Sequence, residues 1–540
     1  MNGKRYILGQ LNWLKKSLNY LSLNSRNKLL FIIISILVSF LGGYLIYRAT
    51  QWGPWAFSDS AAYLSAARNI QAGKGAIILN SNGSVTPVTE FPPLFPYILS
   101  LLTPTEGDFI LTARWLDIIL FSISIFTVGI LSFSAFNNPI TSLFSSIILA
   151  VSPLMVDTFS GFMSEPLFIA LLLILVFLLF EFIKFQKSAI LIPVFIISSL
   201  LPLIRYAGIL FVICVSSFLV LFRKNFSQKL CKLIPLYILV CLTPIGVWFL
   251  NQFNNLNKIG GKRFSLNITL VKSVFQSILQ EFKVIGGWFP YAGVYSSEIK
   301  NQLFIISFSF LFIFAITIGL MVNFKNKVEK NSKSLYLFQI SLMLLIAYIL
   351  FIGFTHSVTI PKIDIIDRMM APIYPFMVLI FFSSFELLSE GKWLKFIKGG
   401  LLIIVLLTIR FFWISTFKAV EMLHADGNGF TSRQYQQSEF LSKLDSLPAD
   451  QPMISNSAAF VLFYTNRFPL QVDQFHNRLY GSGNAYGEKS FREKNAALII
   501  LYPEFRNYYG EKSDQLLQSL TAGLQVNFRD EIGGVYYYHE

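Results

Sequence analysis

The feature that most constrains the fold is a series of eleven apolar runs separated by short polar segments. Each run approaches the roughly 20 residues that an α-helix needs to cross a bilayer. The chain is 54% hydrophobic and only 14% charged, which is typical of a polytopic membrane protein and not of a soluble domain. The sequence therefore predicts transmembrane helices near residues 29–48, 109–131, 139–158, 164–183, 188–204, 207–222, 232–250, 303–323, 335–354, 369–388 and 397–416.

Basic residues alternate with these runs and predict an orientation. The segments that would share the side of the N-terminus are 1–28, 133–138, 184–187, 223–231, 324–334 and 389–396, and the later ones are dense in lysine and arginine. Lysine and arginine are sparser in the opposite loops 49–108, 251–302 and 355–368. This is the positive-inside pattern of a plasma (inner) membrane protein with a cytoplasmic N-terminus. The net charge of +15 is therefore explained without nucleic acid as a partner.

The two ends of the chain are polar. Residues 1–28 are predicted to be a cytoplasmic leader, either lying on the anionic leaflet or forming a disordered tail. Residues 417–540 follow the last run, so an odd number of spans places them outside the cytoplasm. Helix-like and strand-like segments alternate there, which predicts a small extracytoplasmic α/β domain. The predicted fold is thus an all-α polytopic membrane protein with a C-terminal α/β domain.

The three cysteines, Cys214, Cys231 and Cys241, form no CxxC pair, and the four histidines have no metal-ligand spacing. No metal and no other cofactor is therefore predicted.

Three acids lie near the predicted outer membrane face. Asp59 begins a short helical pattern in the first outer loop, Glu90 precedes Pro92-Pro93, and Glu165 opens the fourth run. A carboxylate in such a place can act as a general base toward an acceptor hydroxyl. The alternative for each is a helix cap or a solvated loop acid, and the proline after Glu165 makes capping a good explanation there.

Basic residues occur at comparable positions. Arg205 lies between two apolar runs, and Arg368 lies at the mouth of the tenth. Charges at such depths usually face a cavity or a partner, and arginine can hold a phosphate with two parallel hydrogen bonds. Snorkelling or local pairing is the alternative. Lys362 shares the loop of Arg368 and adds charge if it is not simply solvated.

The string FSDSAAYLSAARNIQAGKG, followed by TEFPPLFPYILSLL, resembles the first external loop of the GT-C superfamily of membrane glycosyltransferases. The similarity is to the bacterial group of protein O-mannosyltransferases and the aminoarabinose transferase. Residues 164–168, 203–208 and 367–375 are similar to further motifs of these proteins, in the same order.

The resemblance implies a catalytic transmembrane module over residues 29–250, which includes the first external loop 49–108. It implies a more variable transmembrane module over 251–416. It also implies a polyprenyl-phosphate sugar donor that enters from the lipid, with Asp59 as the catalytic base and Glu165 and Glu90 as further acids. Tyr63, Arg68 and Tyr206 are candidate substrate-binding residues, with packing the alternative for Tyr63 and surface exposure for Arg68.

Two positions depart from the aminoarabinose transferase. Ala62 stands where that enzyme has an arginine, and Phe91 stands where it has a lysine. Both are donor-phosphate contacts there, so the resemblance leaves Arg205, Arg368 and Lys362 as the phosphate-binding candidates.

The predicted activity is inverting sugar transfer from a polyprenyl phosphate to a hydroxyl acceptor on protein, lipid or glycan, at the outer face of the bilayer. A lipid-linked sugar transporter or flippase is the main alternative, since it also has many spans with charged residues. A non-catalytic membrane scaffold is a second alternative.

Overall fold

The computed structural model describes residues 25–81, 83–221, 234–256, 263–264, 270–288, 333–388, 392–471 and 496–538. In chain order the helices are α1 (Ser25–Ala49), α2 (Ser58–Gln71), α3 (Leu94–Leu102), α4 (Phe109–Phe136), α5 (Pro139–Ala150), α6 (Pro153–Phe159), α7 (Glu165–Phe185), α8 (Leu191–Ile204), α9 (Gly208–Leu221), α10 (Ile234–Leu256), α11 (Leu270–Gly287), α12 (Lys333–Val358), α13 (Asp367–Met370), α14 (Tyr374–Leu387), α15 (Lys392–Asp426), α16 (Arg433–Gln436), α17 (Glu439–Asp445), α18 (Ala458–Thr465), α19 (Tyr502–Tyr509) and α20 (Ser513–Thr521).

Short 3-10 turns cover Ser188–Ile190, Ala371–Ile373 and Gly510–Lys512. The strands are β1 (Ile77–Leu79), β2 (Val85–Pro87), β3 (Arg263–Phe264), β4 (Thr359–Ile360), β5 (Met453–Ser455), β6 (Leu470–Gln471), β7 (Ala497–Leu501), β8 (Leu524–Arg529) and β9 (Gly533–Tyr538).

The described residues contain seven helices long and apolar enough to cross a membrane, or eight if one bent pair is counted as a span. The predicted number of eleven is not confirmed. The predicted span 303–323 lies outside the described residues. The span predicted at 139–158 is the pair α5 and α6, bent by 57°. The bend falls at Pro153, whose missing N–H and fixed φ favour the start of a new helix.

The predicted spans at 188–204 and 207–222 are shorter than expected. They correspond to α8 and α9, each 14 residues long. The chain leaves the helical path at Arg205 and resumes it at Gly208. A β-carbon on Gly208 would lie 2.3 Å from the Leu201 carbonyl carbon, so this close return toward α8 needs glycine. The break places Arg205 at a helix terminus.

The described chain divides into two compact units. The first, here called the helical unit, comprises residues up to 46 together with 117–159 and 165–419. Within it α12 packs against α11 and α14, and α8 packs against α7 and α10. Phe211 on α9 lies at the centre of an aromatic cluster, with ring centroids 5.7 Å from Phe168, 5.9 Å from Tyr348 and 6.5 Å from Phe376.

Helix α11 in this unit is amphipathic in an unusual sense. It turns apolar side chains outward and buries Ser277 and Glu281 against α12. The outward residues follow helical spacing: Val271, Phe275, Leu279 and Phe282. Such a face is typical of a helix that lies in a membrane interface. The two-residue strands β3 and β4 pair antiparallel in the same unit.

The second unit, here called the sheet unit, comprises residues 47–116, 160–164 and those from 420 onward. Its mixed sheet has the strand order β6-β5-β7-β9-β8. The first three strands are parallel, and β9 pairs antiparallel with both β7 and β8. The predicted C-terminal α/β fold is therefore confirmed. Ile454, Leu498, Ile500 and Tyr536 form the core of one sheet face.

Residues 49–108, the predicted first external loop, belong to the sheet unit and form backbone hydrogen bonds with its C-terminal part. The Phe468 N–H donates to the Leu79 carbonyl at 2.7 Å, and the Ser81 N–H donates to the Phe468 carbonyl at 2.8 Å. At a second place, the Phe430 N–H donates to the Ala56 carbonyl at 2.8 Å. Leu79 and Phe468 are 389 residues apart in the sequence, and Ala56 and Phe430 are 374 apart, so their association could not be anticipated from sequence pattern.

Candidate active site

A buried carboxylate begins helix α7. Glu165 is the first residue of the helix and its side chain is 0% exposed. Pro166 follows it, and proline suits the first turn because no helical hydrogen bond is lost there. The positive end of the helix dipole stabilises a negative charge at this position. The predicted role of Glu165 as a helix-terminal acid is thus compatible with its place in the fold, but burial of its charge requires a cationic partner.

Two arginines supply that partner. The Arg205 Nη1 atom lies 2.5 Å from the Glu165 Oε1 atom, and the Arg368 Nε atom lies 3.6 Å from the same oxygen. The two arginine side chains remain 14% and 19% exposed. Arg205 follows the end of α8, whereas Arg368 lies in the first turn of α13. Helix termini far apart in the sequence therefore place two guanidinium groups at one carboxylate.

A second group of contacts fixes the segment that carries Arg368. Arg205 also donates from Nη2 to the Met369 sulfur at 3.1 Å. The Tyr348 hydroxyl donates to the Met369 carbonyl at 2.8 Å, and the Trp288 indole N–H donates to Asp367 at 2.7 Å. Sequence reasoning missed Tyr348 and Trp288. Neither occurs in a recognisable motif, and only the packing of α11 and α12 against α13 reveals them.

A further acid, Asp157 on α6, lies close enough to Asp367 for the two carboxylates to repel each other. The sequence could have revealed Asp157, because a lone aspartate in an apolar run is a functional candidate by default.

Two further predicted site residues, Lys362 and Tyr206, are close to Arg368 and Arg205 in sequence. Their environments differ from that of the cluster. Lys362 is exposed, and it forms no ion pair with any acid in the described part of the chain. Tyr206 follows Arg205, and its ring centroid lies 5.4 Å from that of Phe249 on α10. The structure therefore brings together Glu165, Arg205 and Arg368, and it does not add Lys362 to them.

Asp59 lies in the sheet unit, at the second residue of α2. Its side chain is half-buried, and its carboxylate lies at the favourable end of the helix dipole. Ser60, in the same turn, accepts a hydrogen bond from the Phe57 N–H at 3.1 Å and so fixes the start of the helix. The helix stops at Gln71, and Gly73 and Gly75, which follow it, both have positive φ.

Tyr63 holds the same helix in place. It is 2% exposed, its ring packs edge-on against Phe95 at 5.1 Å, and its hydroxyl lies 3.1 Å from the Ser164 hydroxyl. Packing, the alternative to substrate binding, thus accounts for much of its environment. Arg68 is half-buried and donates from Nη1 to the Phe463 carbonyl at 2.6 Å. This hydrogen bond connects α2 to α18. Surface exposure, the alternative to substrate binding, therefore does not describe Arg68.

Glu90 is exposed in the segment that precedes the buried pair Pro92 and Pro93. Helix α3 begins directly after the prolines. Among the described residues, no group of three or more His, Cys, Asp or Glu side chains is arranged to hold a metal ion.

Comparison with known proteins gives this geometry a context. Residues 90–248 match the family described as dolichyl-phosphate-mannose-protein mannosyltransferase. The fold is similar to the crystal structure of ArnT from Cupriavidus metallidurans bound to undecaprenyl phosphate, with a TM-score of 0.57 and 12% sequence identity over 95% of this chain and 98% of that one. The apo crystal structure of the same protein matches with a TM-score of 0.56 and 12% identity over 94% and 97% of the two chains. No curated protein matches the sequence at significant similarity.

The described residues contain several apolar helices long enough to span a bilayer, which is the fold of a multi-pass membrane protein. At the helix termini a buried acid contacts two arginines and forms a polar site. The fold is therefore like that of ArnT, and residues 90–248 match the mannosyltransferase family model. The resemblance to GT-C membrane glycosyltransferases noted in the sequence agrees with both findings.

Proposed function

We propose that this protein transfers a sugar from a polyprenyl-phosphate donor to a hydroxyl acceptor, with inversion at the anomeric carbon, on the extracytoplasmic face. The observation that carries the proposal is the pairing of Arg205 and Arg368 with the one buried carboxylate of Glu165. The similarity in fold to a protein crystallised with undecaprenyl phosphate supports a lipid phosphate as the ligand.

The arginine pair suits the leaving group of this reaction. As the bond between the sugar and the phosphate breaks, negative charge grows on the phosphate oxygens. Guanidinium groups fixed beforehand stabilise that charge without reorganising, which is the largest electrostatic contribution such a site can make. In this proposal Glu165 positions both arginines and does not itself remove a proton. Tyr348 and Trp288 hold the backbone and the acid on either side of Arg368.

Asp59 is the proposed general base. The acceptor oxygen attacks the anomeric carbon and forms the new glycosidic bond, while the bond from that carbon to the phosphate oxygen breaks. The acceptor proton passes to the Asp59 carboxylate, and the electron pair of the broken bond leaves with the polyprenyl phosphate. A half-buried carboxylate at the start of α2 is suited to this exchange because it stays reachable from solvent.

The isoprenoid tail of the donor would lie against the apolar helices of the helical unit. Burial of hydrocarbon contributes about 0.8 kcal/mol per methylene, so the tail can anchor the donor while the arginines orient its phosphate. Affinity and orientation would then come from different parts of one ligand.

The test is a turnover assay with purified protein, radiolabelled polyprenyl-phosphate sugars and a panel of hydroxyl acceptors. We expect release of free polyprenyl phosphate that depends on the acceptor, and loss of this release in Asp59→Asn with insertion and folding retained. Glu106→Gln, which removes an exposed acid from the same outer loop, is the matched control.

A transporter would move the intact donor across a vesicle membrane without cleaving it. Such movement, or normal turnover by Asp59→Asn, would contradict the proposal.

A further inference from the structure

A cleft in the sheet unit is not used by the chemistry described so far. Its volume is about 730 Å³, within the range of roughly 300–1,000 Å³ that small-molecule sites occupy. One wall is formed by Ala56 and Phe57, the two residues that precede helix α2. Most of the segment 426–437, which is bridged to Ala56, also lines the cleft, and Glu504 on α19 completes the lining. Asp59 lies two residues beyond Phe57, so this cleft adjoins the turn that carries the proposed base.

The cleft is built on a rigid backbone. Residues Ala56 and Gly429 form an isolated parallel bridge, and a β-carbon on Gly429 would lie 2.1 Å from the Ala56 carbonyl oxygen. Gly429 also has φ of +61°, a conformation that glycine adopts at little cost. The Thr431 hydroxyl donates to the Pro54 carbonyl at 2.8 Å and ties the same segment to the first loop. A cleft held in this way is preorganised, so a ligand would lose little free energy in ordering it.

Two polar side chains of the lining are available to a ligand. Asp426 and Gln434 are both exposed, and neither side chain makes a hydrogen bond to any described residue. A carboxylate accepts hydrogen bonds, whereas a side-chain amide both donates and accepts them. Paired in one cleft, these groups match a ligand that carries several hydroxyl groups.

Aromatic rings supply the apolar part of the lining. Phe57, Phe430 and Tyr435 all border the cleft. The ring of Phe57 is half-buried, while Phe430 and Tyr435 are packed with only 8% and 6% exposed. Aromatic faces beside hydrogen-bonding groups suit a molecule with both C–H faces and hydroxyl edges, as a pyranose ring has.

The charges of the lining restrict the ligand further. Asp426 and Glu504 bring two acids, and burial raises the pKa of Glu504 against the opposing effect of its hydrogen bond with Ser457. Arg433 is the one basic side chain of the lining. Its guanidinium donates to Gln437 at 2.9 Å and lies 5.7 Å from the ring centre of Trp52. With two acids and one base, the lining has no excess of positive charge that would attract an anionic ligand.

We infer that this cleft binds the acceptor of the transfer reaction, and that the acceptor is a neutral or amino-sugar saccharide and not a polypeptide. This inference rests on the proposed function, since only a transferase needs an acceptor beside Asp59. The hydroxyl that attacks would belong to a sugar residue held between the segment 426–437 and the start of α2.

The test measures binding without turnover. Saturation-transfer difference NMR is recorded on the full-length protein in detergent with cellobiose, chitobiose, digalacturonate or an octapeptide of serine and threonine. We expect signals from cellobiose or chitobiose and not from digalacturonate. They should fall at least fivefold in the double variant D426A/Q434A. Gln515→Ala, which removes an exposed glutamine from α20 of the same unit, should leave them unchanged.

Several outcomes would overturn the inference. One is a signal from the octapeptide alone. Another is saccharide binding that D426A/Q434A does not weaken, and a third is no binding of any probe. Because no donor is present, these outcomes do not depend on the proposed function. If the enzyme is active and D426A/Q434A leaves its acceptor KM unchanged, only the assignment of the cleft to the acceptor is contradicted. If the wild type does not cleave the donor at all, the proposed function is contradicted.

Discussion

At the scale of single residues, the most informative side chain is Glu165. Its sequence context, an acid before a proline at the start of an apolar run, predicted a helix-terminal carboxylate near a membrane face. The contacts with Arg205 and Arg368 could not be predicted in the same way, because pairing between helix termini depends on packing across the bundle. The sequence identified the three members of the cluster separately, and the structure brings them together.

The pairing predicts non-additive effects of substitution. Removing one member of a buried ion pair leaves an uncompensated charge and typically costs about 3–5 kcal/mol. We expect Glu165→Gln and Arg205→Gln each to lower the free energy of unfolding. The double variant should be less destabilised than the sum, by about 1–3 kcal/mol. Thermal unfolding of the four proteins of this cycle measures the coupling. Additivity within about 0.5 kcal/mol would argue against an energetic role for the contact.

At the scale of elements, helix α11 carries a buried acid against α12. Glu281 is 0% exposed, and its carboxylate oxygens have no hydrogen-bond partner among the described residues. A β-carbon on Gly353 would lie 3.1 Å from the Glu281 Oε1 atom, so glycine makes room for the acid. Burial raises the pKa of Glu281 from its ordinary value of 4.5 to about 8. The folded protein therefore keeps a proton that the unfolded chain releases.

This shift predicts a pH dependence with a definite sign. Between pH 4.5 and about 8 the unfolded state loses the Glu281 proton before the folded state does, so stability falls as pH rises through that window. Glu281→Gln removes the effect. The difference in melting temperature, variant minus wild type, should therefore become more positive from pH 5 to pH 8. Lys283→Gln, an exposed change on the same helix, should show no such trend. A constant offset between Glu281→Gln and wild type would contradict the assignment.

The contact between the first loop and the segment 426–437 makes a second prediction at this scale. Gly429 and Gly523 both have positive φ, but a β-carbon meets the Ala56 carbonyl only at Gly429, and nothing lies within 4 Å at Gly523. Gly523→Ala should cost about 1 kcal/mol for backbone strain alone. Gly429→Ala should cost clearly more and should expose the sheet unit to limited proteolysis. Equal losses in the two variants would show that the close approach to Ala56 is unimportant.

How far sequence reasoning reached also differs among elements. Most of the long apolar helices and the strands of the C-terminal domain were predicted, because the periodicity of their own residues determines them. The break between α8 and α9 falls between two predicted spans, whereas the bend between α5 and α6 was missed because it depends on one proline within an otherwise continuous apolar run. The hydrogen bonds between Leu79 and Phe468 were out of reach, because no local pattern encodes them.

At the scale of the whole molecule, the account predicts a topology. From the alternation of basic loops we predict that residues 184–187 lie in the cytoplasm and the sheet unit outside it. In a background without native cysteines, Ser519→Cys on α20 should react with a membrane-impermeant maleimide in intact cells. Lys187→Cys, which follows α7, should react only after the membrane is opened. Labelling with the opposite pattern would reverse the orientation and the proposed face of reaction.

Binding of radiolabelled polyprenyl phosphate to the purified protein tests the central claim most directly, since that claim assigns the lipid phosphate to Arg205 and Arg368 and the proton to Asp59. We predict that the double variant R205Q/R368Q weakens binding at least tenfold. Asp59→Asn should bind the lipid as wild type does but should fail to transfer. Undiminished binding by R205Q/R368Q, in protein that remains folded, would contradict the account.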